Sequence, residues 1–322
     1  MFFRLLLLIL LLVASPGAAQ PPATEPAPRR LSYQGWGLAF ADEFDTYSSL
    51  ADFQARSPWQ FHPDGGARTL TNNAVEDQYY EPAALSLQDG RLVLTATRLP
   101  EPIVYPFRTA AGTDTSKLLH YQSGWISTRP DFYTGLGLGD APRWPLNRGF
   151  EYGLFEIRCR FGSSSRAWPA FWLFNGTTEI DVFEGGSNAL GRPRLFSTNV
   201  HHNPAPPARS RTAQASHRKA FGPSLDQEFH TYSVVWTPTA VTFYFDGRRL
   251  RSIPARRLPT LPAPVDIIAN QAMLGYSPAL SPTPPEQEPP SQFEIEYIRV
   301  YKPQDGSLNR GHYVLPAPSP TP

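Results

Sequence analysis

The hexapeptide Glu179-Ile180-Asp181-Val182-Phe183-Glu184 sets three carboxylic acids among residues that otherwise read as a buried β-strand. Burying an unpaired charge is strongly unfavourable, and like charges this close raise one another's pKa, so acids kept in such a run point to a chemical use. Side chains on a strand alternate faces with period two. Glu179 and Asp181 therefore share a face, while Glu184 stands at an odd offset from both and would point away. A β-bulge at Val182 or Phe183 adds the one residue that turns Glu184 back, a device common beside active sites. With the bulge, the two Glu α-carbons stand about four strand steps apart, roughly 13 Å at about 3.3 Å per step. Their side chains can then lean inward over Asp181 to the separation of roughly 5 to 5.5 Å that suits a retaining glycosidase.

The opening MFFRLLLLILLLVASPGAAQ carries one Arg, an apolar run and small residues ending near Ala19. This is the pattern of a cleavable secretory signal over residues 1–19, too short to span a bilayer, and it implies a secreted or periplasmic destination. Cys159 is the only cysteine, so no intramolecular disulfide can form and an exported chain must rely on its core. A formal net charge of +1 gives no reason to expect nucleic acid or a membrane as partner, and favours a neutral or weakly charged one. The 14 Tyr and 7 Trp suit sugar-stacking surfaces as well as a core. Prolines gather in a disordered linker over 20–35, a surface loop over 278–290 and a disordered tail over 304–322. Between them, residues 36–303 read as one domain without internal repeats, expected to be a monomer.

Short apolar runs separated by turn residues recur along that domain, with no convincing helical period. They predict strands at 92–97, 153–161, 170–174, 180–183, 230–236, 241–245, 266–271 and 293–301. Asp89-Gly90 and Asp246-Gly247 are turn signals. Many short antiparallel strands in one long domain mean an all-β sandwich. In Trp168-Pro169-Ala170-Phe171-Trp172, alternation places Trp168 and Trp172 on one face, across the Asn175-Gly176 turn from Glu179. They are either a sugar platform or two core tryptophans.

Taken together, these segments resemble glycoside hydrolase family 16, the laminarinase, agarase and carrageenase group of β-glycanases. The resemblance covers most of the mature chain. It runs through DEFD at 42–45, NNAVEDQYY at 72–80, DGRLVLTA at 89–96, SGWIST at 123–128, YGLFEIRCRF at 152–161, WPAFWL at 168–173, EIDVFE, FHTYSVVW at 229–236, FYFDG at 243–247 and EYIRVY at 296–301. Their order, with the E-x-D-x-x-E acids, makes the match specific.

The resemblance implies a β-jelly-roll of two curved antiparallel sheets around an open concave cleft. In it Glu179 would be the nucleophile, Glu184 the general acid and base, and Asp181 the residue between them that orients Glu179. Those roles agree with the chemistry. Glu179 must be ionised to attack, so Glu184 must keep its proton near neutral pH, and neighbouring negative charge raises its pKa as required. The resemblance also implies a cleft histidine, His201 or His202, and sugar contacts from Asn270, Asn73 and Trp125. No cofactor is needed for catalysis. A structural calcium site is left open through Glu43, the Gly90 backbone and Glu296. There are departures from the family pattern: Thr178 stands where Gly precedes the first acid, Glu296 replaces an Asp, and an insertion over 129–150 carries Arg143, Trp144 and Arg148.

The expected function is endo-acting, retaining hydrolysis of internal β-glycosidic bonds in a polysaccharide, with β-1,3- or β-1,3/1,4-glucan first. The alternatives are a sulfated or neutral galactan hydrolase, a transglycosylase, or a glycan-binding module without catalysis, against which the intact acid triplet argues.

Overall fold

A computed structural model describes residues 30–63, 67–70, 75–108, 113–128, 150–162, 164, 166–185, 195–202, 211–218, 225–258, 263–275 and 284–308. The expected signal, most of the linker, Asn73, the insertion over 129–150 up to its last residue, and the end of the tail lie outside the described residues.

The chain begins with β1 (Trp36–Asp42), α1 (Leu50–Arg56), β2 (Trp59–Gln60), β3 (Gln78–Tyr80), β4 (Leu85–Gln88) and β5 (Arg91–Arg108). It continues through β6 (Asp114–Ser123), β7 (Trp125–Thr128), β8 (Gly153–Phe161), β9 (Ala167–Phe174), β10 (Thr178–Glu184) and β11 (Leu195–His202). It ends with β12 (Arg211–Arg218), β13 (His230–Trp236), β14 (Ala240–Phe245), β15 (Arg248–Pro254), β16 (Asp266–Met273) and β17 (Ser291–Pro303). The eight strands expected from apolar runs are all present. Helix α1 was not expected, because two turns are too few for a period to register; the Ser49 side chain caps it by accepting from the Asp52 N–H.

Two sheets form. One runs β15-β14-β13-β8-β17-β5-β6-β3, with β1 on β17 and β4 on β5, and the other runs β12-β11-β10-β9-β16-β7-β2. The β3–β6 pairing is parallel, the one departure from the antiparallel pattern among the described pairs. Both Asp-Gly turns form as the sequence requires. Asp89 and Gly90 sit at φ 49° and 73°, and Asp246 and Gly247 at φ 45° and 69°, the left-handed pair that matches hairpin twist.

Period-two alternation sorts the seven-stranded sheet. Phe171, Leu173, Ile180, Val182, Phe183, Ile267 and Ala269 face the other sheet and join the core between the layers. Ala170, Trp172, Phe174, Glu179, Asp181, Asn270 and Ala272 face the opposite way and line a cleft. The site thus stands on the outer face of one layer, braced from beneath by the other. Phe183, beneath the acids, packs against Phe161, Tyr232 and Phe293, with ring centroids 5.6, 4.3 and 5.9 Å away. Replacing Phe183 with Ala is expected to destabilise the fold by about 3 to 5 kcal/mol. Urea unfolding should show this as a lower midpoint with unchanged slope.

Candidate active site

The acids are delivered by a hairpin and a bulge. Between β9 and β10 the Asn175 side chain accepts from the N–H groups of Thr177 and Thr178, at 3.3 and 2.8 Å, and Gly176 supplies φ 83°. Along β10 the register with β11 pairs Asp181 with Asn199 but Glu184 with Ser197. The register with β9 pairs Asp181 with Trp172 but Phe183 with Phe171, which leaves Val182 as the extra residue. This is the bulge that the spacing demanded. Val182 and Phe183, though consecutive, both enter the core, and Glu184 returns to the cleft beside Glu179 and Asp181.

Strand β11 supplies the partners. Ser197, Asn199 and His201 alternate onto the acid face. The Asn199 amide donates to Glu184 Oε2, and Ser197 Oγ approaches the same oxygen at 3.4 Å. His201 Nε2 lies 3.3 Å from Asp181 Oδ2 and 3.9 Å from Glu179 Oε1, and its Nδ1 is 2.9 Å from Thr212 Oγ1. The doublet is thereby resolved. His201 lines the cleft, while His202, one step on, does not. Asp181 Oδ2 makes no hydrogen bond among the described residues and faces the His201 imidazole.

Burial governs the protonation of this group. It is the leading cause that pushes Glu184 up to about 8, followed by the charges of Asp181 and Glu179. Burial also raises Glu179 and Asp181 to about 7; the charge of Asp181 adds to the rise of Glu179, and the Asn199 hydrogen bond opposes that of Asp181. Glu184 therefore holds its proton longest.

The cleft encloses about 470 Å³, within the usual range for ligand sites. Trp168 and Trp172 both line it, as a platform would require. Asn270 lines it too, but both ends of its amide are engaged: Trp172 Nε1 donates to Oδ1 at 2.8 Å, and Nδ2 donates to Tyr80 OH at 2.9 Å. Its visible task is to fix the Trp172 ring. Trp125, expected as a sugar contact, is only 2% exposed. It packs against Tyr80 and Trp172 with its indole N–H on Ser127 Oγ, so it backs the platform instead of lining the cleft. The face was right, but Tyr80 and Trp172 cover it.

Sequence reasoning missed Asn199, Ser197 and Glu76, the last of which also lines the cleft. Counting back by twos from His201 finds the first two. The residues expected to hold calcium do not fit a cation. Arg299 grips both oxygens of Glu43 at 2.8 Å, and Arg158 lies 3.0 Å from Glu296, so guanidinium groups already neutralise both carboxylates. Among the described residues the group with metal-ligand spacing is Glu179, Asp181 and His201, the catalytic candidates themselves.

Two glutamates flanking an aspartate on the open face of a two-sheet sandwich define the class of carboxylate-pair glycoside hydrolases. Residues 141–299 match the model for glycosyl hydrolases family 16. It is 28% identical to a β-glucanase of Rhodothermus marinus over 83% of this chain and 85% of that one. It is also 28% identical to the endo-1,3-1,4-β-glycanase ExsH of Rhizobium meliloti over 81% of this chain, and it spans only 51% of that relative's length. The catalytic domain of an endo-1,3-β-glucanase (laminarinase) from Thermotoga petrophila superposes with a TM-score of 0.60 over 84% of this chain and 98% of that one, at 24% identity, a likeness of fold.

The raised Glu184 makes stability depend on pH in a definite sense. A carboxyl whose folded pKa lies above its unfolded value of about 4.3 contributes fully below that value, and the contribution is lost as pH rises toward about 8. Glu184→Gln cannot ionise. Its melting temperature relative to the parent should therefore climb between pH 4 and pH 9, as read by calorimetry. A difference that stays flat across that range would contradict the assignment.

Proposed function

We propose that the protein is an exported endo-acting hydrolase that cleaves internal β-glycosidic bonds of a polysaccharide with retention, β-1,3- or β-1,3/1,4-glucan being the favoured polymer. The observation that carries this reading is the bulge at Val182, which brings Glu179 and Glu184 onto one face about Asp181. In the first step a Glu179 oxygen attacks the anomeric carbon while Glu184 gives its proton to the departing glycosidic oxygen. In the second, Glu184 takes a proton from water, which attacks the same carbon and releases Glu179. The ordering of the two glutamates, with Glu184 the more reluctant to ionise, suits these roles.

His201 stands beside the nucleophile, 3.9 Å from Glu179 Oε1 and 3.3 Å from Asp181 Oδ2. A cleft on the face of a sheet suits a polymer lying across it and cleavage away from chain ends. Trp168 and Trp172 offer apolar faces for sugar rings. The glucan preference draws on the R. marinus relative, named a β-glucanase, and the 1,3-1,4 linkage on the R. meliloti relative, named an endo-1,3-1,4-β-glycanase. Export draws on the signal-like residues 1–19.

The two glutamates should separate by leaving group. Glu184→Gln is expected to lose about 10²- to 10⁴-fold on the polymer, yet little in kcat/KM on an activated aryl glycoside, because that ratio ends at the first step and its leaving group needs no proton. Glu179→Gln should lose both. Reducing-end release from a panel of glucans and galactans, with sizing of products, names the polymer. Wild-type cleavage of all of them by Glu179→Gln would reject the nucleophile, products longer than the substrate would mean transglycosylation, and binding without release would mean a lectin-like module.

A further inference from the structure

We infer that Arg251 is a positioning residue for the general acid, acting on Glu184 through the backbone of β11; this rests on the assignment of Glu184 as the acid. Arg251 belongs to β15, the edge strand of the other sheet, more than fifty residues along the chain from the strand it serves. Its guanidinium crosses between the layers. One terminal nitrogen, which carries two hydrogens, donates to the Thr198 carbonyl at 2.6 Å and to the Ala213 carbonyl at 2.9 Å. The group lies over the Phe243 ring, 5.0 Å from its centroid.

The importance of Thr198 lies in its place in the ladder. Asn199 pairs with Asp181 and Ser197 with Glu184, so Thr198 alone stands opposite the two bulge residues, Val182 and Phe183. A bulge interrupts regular pairing, and the strand facing it loses part of what fixes its height and twist. Arg251 supplies donors to the backbone at that point. Ser197 and Asn199, the two residues that reach Glu184 Oε2, flank Thr198 on either side. A carbonyl that shifts at Thr198 moves both of them, and with them the oxygen that must hand over its proton.

The residue type suits the task. A planar guanidinium offers several donors in a fixed fork and stays charged when partly buried, whereas a lysine offers one compact ammonium on a flexible stem. Burial lowers Arg251 to about 10, still cationic at neutral pH, while the charge of Asp181 opposes that fall. Asp181 is faced by Glu179 and Glu184 from its own strand, by Asn199 and His201 from β11, and it feels Arg251 as a counter-charge. Arg251 touches neither reacting carboxyl, so its effect on chemistry must travel through β11.

The test compares Arg251→Met, which keeps most of the stem and removes every donor, with Arg251→Lys, which returns one cation. Each is assayed on the best polymer from the panel and on the activated aryl glycoside of its oligosaccharide. Arg251→Met should lower kcat on the polymer by about tenfold with little change in KM, a part of what a positioned acid supplies, and should leave kcat/KM on the aryl glycoside nearly unchanged because that ratio ends before Glu184 acts as base. Arg251→Lys should fall between it and the parent. Equal loss on both substrates, or none, would overturn the inference. Should Arg251→Met not fold, the same ratio in Arg251→Lys decides. Glu184→Gln is the control: if it lacks leaving-group dependence, the acid assignment fails and this inference with it, whereas equal loss in Arg251→Met beside a leaving-group-dependent Glu184→Gln sinks only the role of Arg251.

Discussion

Desolvation of three neighbouring carboxyl groups is the interaction on which this site turns. Burial is the largest cause of the raised pKa at Glu179, Asp181 and Glu184, ahead of their mutual repulsion. The two effects reinforce each other, because charges a few ångströms apart that interact by about 1 kcal/mol in water interact by about 4 kcal/mol at an effective dielectric of 20. Each ionisation therefore makes the next harder. The group cannot carry three charges near neutrality, and the proton settles where counter-charge is weakest. Asp181 has the Asn199 bond and the Arg251 charge to favour its ionised form, while Glu184 has the Asn199 amide, the hydroxyl of Ser197 and the charge of His201 set against two negative neighbours.

Such a group would melt an ordinary strand, and β10 survives because its other face is so apolar. The bulge does two things with one residue. It turns Glu184 into the cleft, and it sends Val182 and Phe183 together into the core, where a regular strand would bury only one of a consecutive pair. Phe183 then sits in a nest of Phe161, Tyr232 and Phe293, rings drawn from β8, β13 and β17 of the opposite sheet. Well-packed aromatic burial of this kind contributes several kcal/mol, enough to offset a raised carboxyl pKa. The second sheet is thus the anvil of the site, though it gives no residue to the described lining.

What could be read in the chain follows from the range of each interaction. The bulge was legible because it is a local parity argument: five positions separate two acids that must share a face. The Asp-Gly turns and the strands of continuous apolar character were legible for the same reason. Asn199 and Ser197 were within reach, two and four residues before His201, but polar residues on a strand announce nothing until the face is known. Tyr80, bonded to Asn270 across 190 residues, and Arg251, bonded to Thr198 across 53, were beyond any local rule. Trp125 shows the opposite failure, in which the face was correct but the covering rings came from distant strands. Glu43 and Glu296 fell to competition, since guanidinium partners on β17 and β8 took the oxygens that a cation would need.

The two walls of the cleft divide the work. Toward β11 the lining is polar, with the Asn199 amide donating to Glu184 and the His201 imidazole 3.3 Å from Asp181 Oδ2. Toward β16 it is apolar and fixed. The Trp172 indole N–H is spent on Asn270, whose amide is in turn held by the buried Tyr80, and Trp125 meets Trp172 edge-on at 5.8 Å. A ring held in this way presents only its face, and it loses little freedom when something stacks on it, so the ordering cost of binding is small there. Stacking of a sugar on that wall would hold the chain without reading its hydroxyls closely, leaving position along the polymer to be set at the acids. Glu76, a further carboxyl group of the lining, is the exception on the apolar side. Gln78 donates to it, and the oxygen of the same amide accepts from the Met273 N–H at 2.8 Å, so its orientation is fixed by the backbone of β16. A neutral hydroxyl meets such a fixed acceptor more favourably than an anionic substituent would.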